Sequence, residues 1–485
     1  MPYLHIEKAK TGRMAILKTD VLDVIRESFS VSSDVPRFGN TRFLPARKYA
    51  IATNGRFEVG LTSEILQFAV DTWRQTIDIK LDKSMAAELK CPLSMDLVLP
   101  DGITALRPYQ QEAFDAVVAK GRGITLHPTA AGKTPLTGSI ISSFLSTYTG
   151  KDPIVVLVPD TGLARQTSDD LKKYGIEGVQ MWTGKNPLDL TQNPRVVVAN
   201  HKITWMRLPI TKTLSNAPLL IIDECHTINK GVKVNKAIDL FKTPNRIGLT
   251  GTLPNNKEDY WNVVGKIGPV IAKETASDLE AQGFIAPVRV IATKFHYADE
   301  IPKPHPLIAH RPNARYYTER QWLYANEFRN HTIATIANKL TSNTLVLVDQ
   351  LDQGEDIMEY MDTPDKQTFF IHGAISVDER ERIKQIMEDN DDVIIVAMMQ
   401  IFKMGISINN LHNLILAALG KGRSRIIQSI GRGRRLHKEK DVLTLFDILD
   451  DVMYSNIHGD KRLKIYSEQK IPVEQKTIIQ PCNPN

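Results

Sequence analysis

The sequence has few cysteines and no long apolar run. Cys91, Cys225 and Cys482 are the only three cysteines among 485 residues, and no two have the C-x-x-C spacing. An odd number of scattered cysteines favours a reducing compartment and argues against disulfides and structural zinc. A membrane-spanning helix needs about 20 consecutive apolar residues, and no such run occurs. The first residues also lack the apolar core of a signal peptide, so we expect a cytoplasmic protein with no membrane partner.

Neither sign of charge is in large excess. The net charge is +6, the isoelectric point is about 8.9, and 24% of the residues are charged. This balance is compatible with nucleic-acid binding but does not establish it. A chain of this length exceeds one ordinary hydrophobic core, so about two to four domains are expected.

Apolar strand-like runs alternate with helical patterns along most of the chain. Residues 1–95 read as a small α/β accessory domain, expected to bind DNA, with a hairpin predicted at Asn54-Gly55. Residues 96–280 and 281–450 each contain continuous Val/Ile/Leu runs, the pattern of strands buried in a parallel sheet. The runs are GITLH, PIVVLVP, RVVVAN, LLIIDE and RIGLT, then TLVLVD, TFFIHG, DVIIVAM, NLILAA and VLTLFD. We therefore predict an α/β fold with two tandem parallel-sheet domains, followed by a C-terminal tail, residues 451–485.

The stretch PTAAGKT links a strand-like run to a helical one. A small-residue loop that leads into a helix N-terminus presents backbone N–H groups and a positive dipole end to an anion. There Lys133 would contact the β- and γ-phosphates of a nucleotide and Thr134 would bind Mg²⁺. Pro135 falls in the first helical turn, where its missing N–H costs little. The alternative is a chance Gly-Lys-Thr at a helix start.

This loop departs from the strict nucleotide-binding pattern, G-x-x-x-x-G-K-[ST]. His127 stands where that pattern has its first glycine, and Ala130 and Ala131 stand where a further glycine is common. The phosphate-facing residues Gly132 and Lys133 fit the pattern. The methyl groups of the two alanines must still allow the loop to wrap a phosphate.

An acidic pair ends the apolar run LLIIDECH. Asp223 could hold Mg²⁺ through water, and Glu224 could orient and deprotonate the attacking water. The alternative, an ordinary acidic pair at a strand terminus, loses weight because this pair follows the Lys133 loop within one parallel-sheet pattern. His226 has no second ligand at metal spacing, so we expect it to link the acidic pair to the second domain rather than bind metal.

A cluster of arginines occurs near the end of the second domain, in QSIGRGRR. Gln428, Arg432 and Arg435 are spaced to share one helix face. Guanidinium groups on that face could stabilise charge on a γ-phosphate, as arginine fingers do. The alternative is a generic basic patch.

These stretches, in this order, resemble the motifs of superfamily 2 helicases over residues 104–450. Upstream of PTAAGKT, LRPYQ resembles the Q motif. VLVPDTGLARQ, DECH and LTGT resemble the following motifs of the first domain. TLVLVD, FFIHG, VIIVAMMQIFKMGISINNLHNLI and QSIGRGRR resemble those of the second. The resemblance implies two RecA-like domains with ATP and Mg²⁺ between them.

The resemblance also implies roles for individual residues. Gln110 would read adenine, and the nucleotide-binding set comprises Gln110, Thr129, Ala131, Gly132, Lys133, Thr134 and Asp223. Coupling of hydrolysis to the nucleic acid would involve His226, Thr250, Thr252 and Gly405. Candidates for strand contacts, mainly to phosphates, are Arg165, Gln166, Lys202, His372 and Lys403. For each of them the alternative is a solvated surface residue.

Within the superfamily, the chain is most similar to the phage UvsW-type branch-migration helicases. The signs are the TxAGK form of the phosphate loop, LTGTLPN, the GISIxNLHNLI run and the small N-terminal domain. That family implies ATP-driven remodelling of branched or forked DNA in recombination and repair, by a monomer that works with recombination or replication proteins. Asp160, Met398 and Ser407 depart from residues common in the family's motifs, which puts individual phosphate or ribose contacts in doubt.

Two other functions remain open. The core motifs do not separate DNA from RNA, so an RNA-dependent ATPase of the same superfamily is one alternative. A non-catalytic nucleic-acid scaffold is another, although Lys133, Glu224 and Arg435 are all present. A nuclease is less favoured, because no PD-(D/E)xK-like cluster is found.

Overall fold

The computed structural model describes residues 2–10, 13–32, 47–229, 231–307, 309–361, 366–403, 408–420, 423–438 and 440–481. The internal contacts divide the chain into two units. One comprises residues 1–128 with 132–274, and the other comprises residues 275–485 with 129–131. Each unit contains a seven-stranded sheet.

The N-terminal part of the first unit has its own four-stranded sheet, with strand order β5-β2-β1-β6. Its elements are β1 (Tyr3–Lys8), β2 (Met14–Thr19), α1 (Leu22–Ser28), β3 (Ser30–Ser32), β4 (Arg47–Tyr49), β5 (Arg56–Glu58), α2 (Thr62–Trp73), β6 (Asp78–Leu81) and α3 (Lys83–Leu89). In β1 and β2 alternate side chains are buried, as in strands with one face on a core.

The hairpin predicted at Asn54-Gly55 is wrong in its pairing. The turn itself forms, because Gly55 has a left-handed φ of 76° and its N–H donates to the carbonyl of Ala52 at 2.9 Å. The flanking strands, however, pair elsewhere: β4 with β3, and β5 with β2. The dipeptide therefore specifies the turn but not the partners of the strands beside it.

The N-terminal part shares its core with the first seven-stranded sheet. Leu4 and Phe57 belong to the same buried apolar cluster as Val155. Ion pairs reinforce this packing: Lys266 Nζ lies 2.6 Å from Glu58 Oε1. Residues 1–95 are thus packed firmly onto the sheet that carries the phosphate loop.

The first seven-stranded sheet has the order β13-β7-β12-β11-β8-β10-β9, and all its strand pairs are parallel. Its elements are α4 (Pro108–Lys120), β7 (Arg122–Leu126), α5 (Lys133–Thr147), β8 (Ile154–Val158), α6 (Thr161–Lys173), β9 (Val179–Trp182), β10 (Val196–Asn200), α7 (His201–Met206), α8 (Leu208–Thr213), β11 (Leu220–Asp223), α9 (Val234–Ile238), β12 (Arg246–Thr250), α10 (Lys257–Ile267) and β13 (Val270–Lys273). Because parallel strands all end at the same edge, the loops after β7, β11 and β12 meet there.

The second unit has a sheet of order β16-β17-β15-β18-β19-β14-β20, again with parallel pairs throughout. Its elements are α11 (Ala276–Ala281), β14 (Val288–His296), α12 (Ala314–Tyr324), α13 (Glu327–Lys339), β15 (Thr344–Val348), α14 (Leu351–Glu359), β16 (Thr368–Ile371), α15 (Val377–Asp389), β17 (Ile394–Met398), α16 (Met399–Lys403), β18 (Asn413–Leu416), α17 (Arg423–Gly433), β19 (Leu443–Asp450), α18 (Met453–Glu468) and β20 (Val473–Ile479). The predicted α/β fold with two parallel-sheet domains is confirmed.

The residues that the sequence suggested as a tail take part in the second sheet. β20 pairs with β14 from Val290 to His296. On α18, Arg462 and Tyr466 are buried and both donate hydrogen bonds to Asp447 Oδ2, at 3.0 and 2.8 Å. This segment is therefore an integral layer of the second unit.

Candidate active site

The phosphate loop, residues 128–134 (PTAAGKT), has the backbone of an anion-binding turn. Ala130 and Gly132 have left-handed φ values of 71° and 73°, and α5 begins at Lys133. Left-handed residues between right-handed ones turn successive N–H groups toward one point, and the helix N-terminus adds its partial positive charge. Ala130 adopts this conformation despite its methyl group, at a typical strain of about 1–2 kcal/mol.

Gln110 fixes the end of this loop. Its side-chain Oε1 accepts from the Arg107 N–H at 2.9 Å, and its Nε2 donates to the Gly132 carbonyl at 3.0 Å. A Cβ at position 132 would displace that Nε2 and weaken its hydrogen bond, and the left-handed φ of this residue favours glycine. The amide of Gln110 is thus engaged with the loop, and its predicted contact with adenine stays a prediction.

His127 enters the loop at the position where the strict pattern has glycine. Its side chain is 1% exposed, and its ring lies edge-on to Tyr109 with centroids 5.6 Å apart. Burial, followed by repulsion from Lys133, lowers the pKa of His127 to about 4. This neutral imidazole packs the base of the loop against α4.

The acidic pair meets the loop lysine at the carboxyl end of β11. Lys133 Nζ lies 3.0 Å from Glu224 Oε1, and both side chains are largely buried. Glu224 has a left-handed φ of 46°, and its N–H donates to Asp223 Oδ1 at 2.9 Å. Residues 91 positions apart in the sequence are therefore joined in one ionic cluster.

The two carboxyl groups have opposite pKa shifts. Burial, followed by the neighbouring Glu224, raises the pKa of Asp223 to about 6. Burial also opposes the charge of Glu224, but Lys133 and His226 outweigh it and lower its pKa. Glu224 is thus a carboxylate at neutral pH, as a proton acceptor must be.

A hydrogen-bond chain continues from Glu224 to the end of β12. His226 Nδ1 lies 3.2 Å from Glu224 Oε2 and 2.7 Å from Thr250 Oγ1. The Thr250 hydroxyl in turn donates to the carbonyl of Thr252 at 2.9 Å. The structure therefore brings three of the predicted coupling residues together beside Glu224.

The residues of this edge fit a metal–nucleotide rather than a metal alone. Among the described residues, no group of three or more His, Cys, Asp or Glu side chains could hold a metal ion. Asp223 and the half-buried Thr134 offer one carboxylate and one hydroxyl. Mg²⁺ prefers six oxygen ligands and keeps several waters, so phosphate oxygens and water would complete its shell.

In the second unit, one sequence expectation is wrong. Helix α17 ends at Gly433, so Arg435 lies beyond it and cannot share a helix face with Arg432. The contacts of Arg434 explain why the helix ends there. Its buried guanidinium donates to the Ala286 carbonyl and pairs with Glu280. Arg435 is exposed and Arg432 half-buried. The side chains of Gln428 and Lys403, and Gly405 and Ser407 entirely, lie outside the described residues.

The proposed strand-contacting residues of the first unit lie on α6 and α7. Arg165 and Lys202 are exposed, and Gln166 is half-buried. Asp160, which departs from the family's motif, caps α6 by accepting from the Leu163 N–H at 2.9 Å. The half-buried His372 of the second unit follows β16, and its ring centroid lies 5.0 Å from that of Phe370. No described contact reveals a role for His372.

The sequence analysis did not single out Asn200, which ties α6 and α7 together. Its Oδ1 accepts from the Ile203 N–H at 2.9 Å, and its Nδ2 donates to Thr161 Oγ1 at 2.7 Å. An asparagine directly before a helix is an N-cap signal and could have been recognised.

Comparison with known families gives two matches, one in each unit. The model described as "Type III restriction enzyme, res subunit" matches residues 103–255, and "Helicase conserved C-terminal domain" matches residues 329–437. These ranges contain the phosphate loop with its acidic pair and the arginine cluster. The chain belongs to the superfamily 2 helicases. Members of this superfamily are ATP-dependent enzymes, and the predicted family is confirmed.

Two relatives of this helicase are named as DNA helicases. The ATP-dependent DNA helicase uvsW of Enterobacteria phage T4 is 26% identical over 94% of this chain and 95% of its own length. The DNA 3'-5' helicase XPB of Kineococcus radiotolerans is 27% identical over 58% of this chain and 48% of its own length. The chain thus spans nearly all of the phage relative and about half of the XPB relative.

Solved structures share the fold of this helicase at low identity. A DNA-bound Type ISP restriction-modification enzyme, LlaBIII, has a TM-score of 0.57 at 13% identity, over 86% of this chain and 34% of that one. A putative HsdR subunit from Vibrio vulnificus has a TM-score of 0.55 at 16% identity, over 76% and 67%. Within the described part of the helicase, no helix is long and apolar enough to span a bilayer.

Proposed function

We propose that this helicase uses ATP hydrolysis to move along DNA and remodel branched DNA in recombination and repair. The observation that carries the catalytic part is the contact between Lys133 and Glu224 beside the loop, since it unites a phosphate-binding cation with a base. The relationship to the phage helicase over nearly the full length of both chains supports the DNA substrate.

The roles of the site residues follow from their chemistry. Lys133 and the loop N–H groups would bind the phosphates, while Thr134 and Asp223 would hold Mg²⁺, which supplies charge neutralisation when bound. When Lys133 turns toward a phosphate, Glu224 loses its ion-pair partner. Its carboxylate can then orient water and accept a proton. Arg432 and Arg435 are proposed to stabilise the charge that develops during hydrolysis.

Coupling to DNA is proposed to run through the chain from Glu224 to His226 and Thr250. A change in the partner of Glu224 alters the hydrogen bond that its carboxylate accepts from His226, and hence the end of β12. We propose a cytoplasmic monomer that acts with recombination or replication proteins.

The test is ATP hydrolysis measured with RNA, single-stranded DNA, duplex DNA and four-way junctions. The proposal expects the strongest stimulation by branched DNA. Stimulation by RNA alone would instead identify an RNA-dependent ATPase, and the absence of any nucleic-acid-stimulated hydrolysis would revive the scaffold alternative.

A further inference from the structure

Three short helices of the first unit form a basic lobe without a carboxylate. We define the lobe as residues 201–214 and 231–238, which include α7, α8 and α9. These segments contain no Asp or Glu. Their basic side chains are all exposed: Lys202, Arg207, Lys212, Lys233 and Lys236. The adjoining carboxylate, Asp239, is already paired with Arg13 and Lys266. Since charged residues of both signs usually mix on a protein surface, segments whose charged side chains are all basic indicate a polyanionic partner.

Large apolar side chains are exposed within the same lobe. Met206 is 53% exposed, Val232 41% and Ile210 38%. Lys233 Nζ lies 4.5 Å from the centroid of the Trp205 ring. Met206 follows Trp205 and Val232 precedes Lys233, so this contact brings the segments that carry Met206 and Val232 together. Ile210 lies on α8, which is hydrogen-bonded to α7. We call Met206, Ile210 and Val232 the apolar tip.

The helices that carry the apolar tip are attached to the core of the first unit. Trp205 packs against the core of the first unit. The Thr211 hydroxyl of α8 donates to the Thr204 carbonyl of α7 at 2.7 Å, and the Thr204 hydroxyl donates to the His201 carbonyl at 2.9 Å. The segments that carry the exposed side chains are therefore anchored to the core of the first unit and to each other.

One end of the lobe lies at the functional edge of the sheet. Helix α7 starts at the carboxyl end of β10, next to β8. The Asn200 side chain joins it to the start of α6 at Thr161. The phosphate loop and the acidic pair follow strands that end at this same edge.

We propose that the lobe binds the branch point of the DNA, where two strands part. The cations hold the phosphates on either side of the branch, and the apolar tip packs against the base faces that separation exposes. Proteins that insert apolar side chains between base steps use the same chemistry. The inference rests on the proposed function, which it deepens by assigning the contact that selects branched DNA.

The first test removes the tip with the double variant Met206→Ser/Ile210→Ser. The measured quantity is fork unwinding divided by ATP hydrolysis stimulated by single-stranded DNA. We expect this ratio to fall about tenfold, the scale of losing contacts with one unstacked base. The matched control is Val98→Ser/Leu190→Ser, which changes side chains of the same unit that are 40% and 39% exposed. The control should keep the wild-type ratio.

The second test probes the cations with Lys212→Glu/Lys236→Glu. Fork affinity is measured against salt concentration, and each lost phosphate contact should lower the slope of log K by about 0.7–0.9. A fluorescent adenine analogue at the first unpaired position should report stacking with the wild type but not with the tip variant.

The outcomes separate this inference from the function on which it rests. Wild-type hydrolysis that no DNA stimulates would refute the proposed function itself. Stimulated hydrolysis with an unchanged unwinding ratio in the tip variant would overturn the inference alone, as would an unchanged salt slope in the charge variant. A lobe that docks an acidic protein instead would leave all the DNA measurements of the purified helicase unchanged.

Discussion

The buried imidazole at the entrance of the phosphate loop should make stability depend on pH. His127 is 1% exposed, and its pKa is lowered from 6.5 to about 4. In the unfolded chain this side chain takes up a proton as the pH falls through about 6.5, whereas in the folded chain it stays neutral. The stability that His127 confers at neutral pH is therefore lost as the pH falls from about 6.5 toward 4.

The expected loss follows from the two pKa values of His127. At pH ~5 the unfolded state is favoured by RT ln[(1+10^1.5)/(1+10^−1)], about 2 kcal/mol. Other groups also titrate in this range, including Asp223, whose raised pKa acts in the opposite sense. A difference between two proteins cancels these contributions. The informative quantity is the wild-type free energy of unfolding minus that of His127→Phe, which retains a ring beside Tyr109.

The assay is urea unfolding followed by tryptophan fluorescence. Four of the five tryptophans lie in the same unit as His127, so the signal reports mainly on that unit: Trp73, Trp182, Trp205 and Trp261. Between pH ~7.5 and ~5 the wild type should lose about 2 kcal/mol more than His127→Phe. His310→Phe removes an exposed imidazole and should follow the wild type. If the free energy of unfolding changes with pH by the same amount in the wild type and in His127→Phe, the pKa of His127 is not lowered by folding.

Three further predictions concern the candidate site. Lys133→Ala should abolish ATP hydrolysis while DNA binding largely survives, and full hydrolysis in a steady-state assay would contradict the assignment. Arg435→Ala should lower turnover far more than ATP affinity, whereas a loss of affinity alone, seen in a nucleotide titration, would indicate a basic patch. Ala130→Gly should raise the free energy of unfolding by about 0.5–1 kcal/mol because it relieves the left-handed φ, and a destabilisation in urea would show that this φ is not strained.

Much of the fold could be predicted because buried parallel strands leave a local signal. All ten apolar runs in the two α/β domains are strands in the structure. β20 has no such signal, since nearly all its residues are exposed and only its pairing with β14 makes it a strand. The Asn54-Gly55 turn was predictable from its own dipeptide. The partners of the strands beside it depend on distant residues.

The candidate site was predictable in its chemistry but not in its details. The order of the stretches placed Lys133 and Glu224 at one edge, and the structure adds the contact between them. The spacing of Arg432 and Arg435 suggested a shared helix face, although Gly433 between them is itself a residue type that often ends helices. The helix end depends on the burial of Arg434 against residues about 150 positions away. Why histidine stands at position 127, where the strict pattern has glycine, also becomes clear only from its packing against Tyr109.

We expect ATP hydrolysis at Lys133 and Glu224 to drive the remodelling of branched DNA. The most direct test is the movement of a mobile four-way junction, measured with the wild type and with Glu224→Gln. Glutamine keeps the size of the side chain but removes the proton acceptor. We expect ATP-dependent conversion of the junction by the wild type and none by the variant, although the variant still binds ATP and DNA. Conversion by Glu224→Gln at the wild-type rate, or none by the wild type, would contradict the proposed role of ATP hydrolysis at this site.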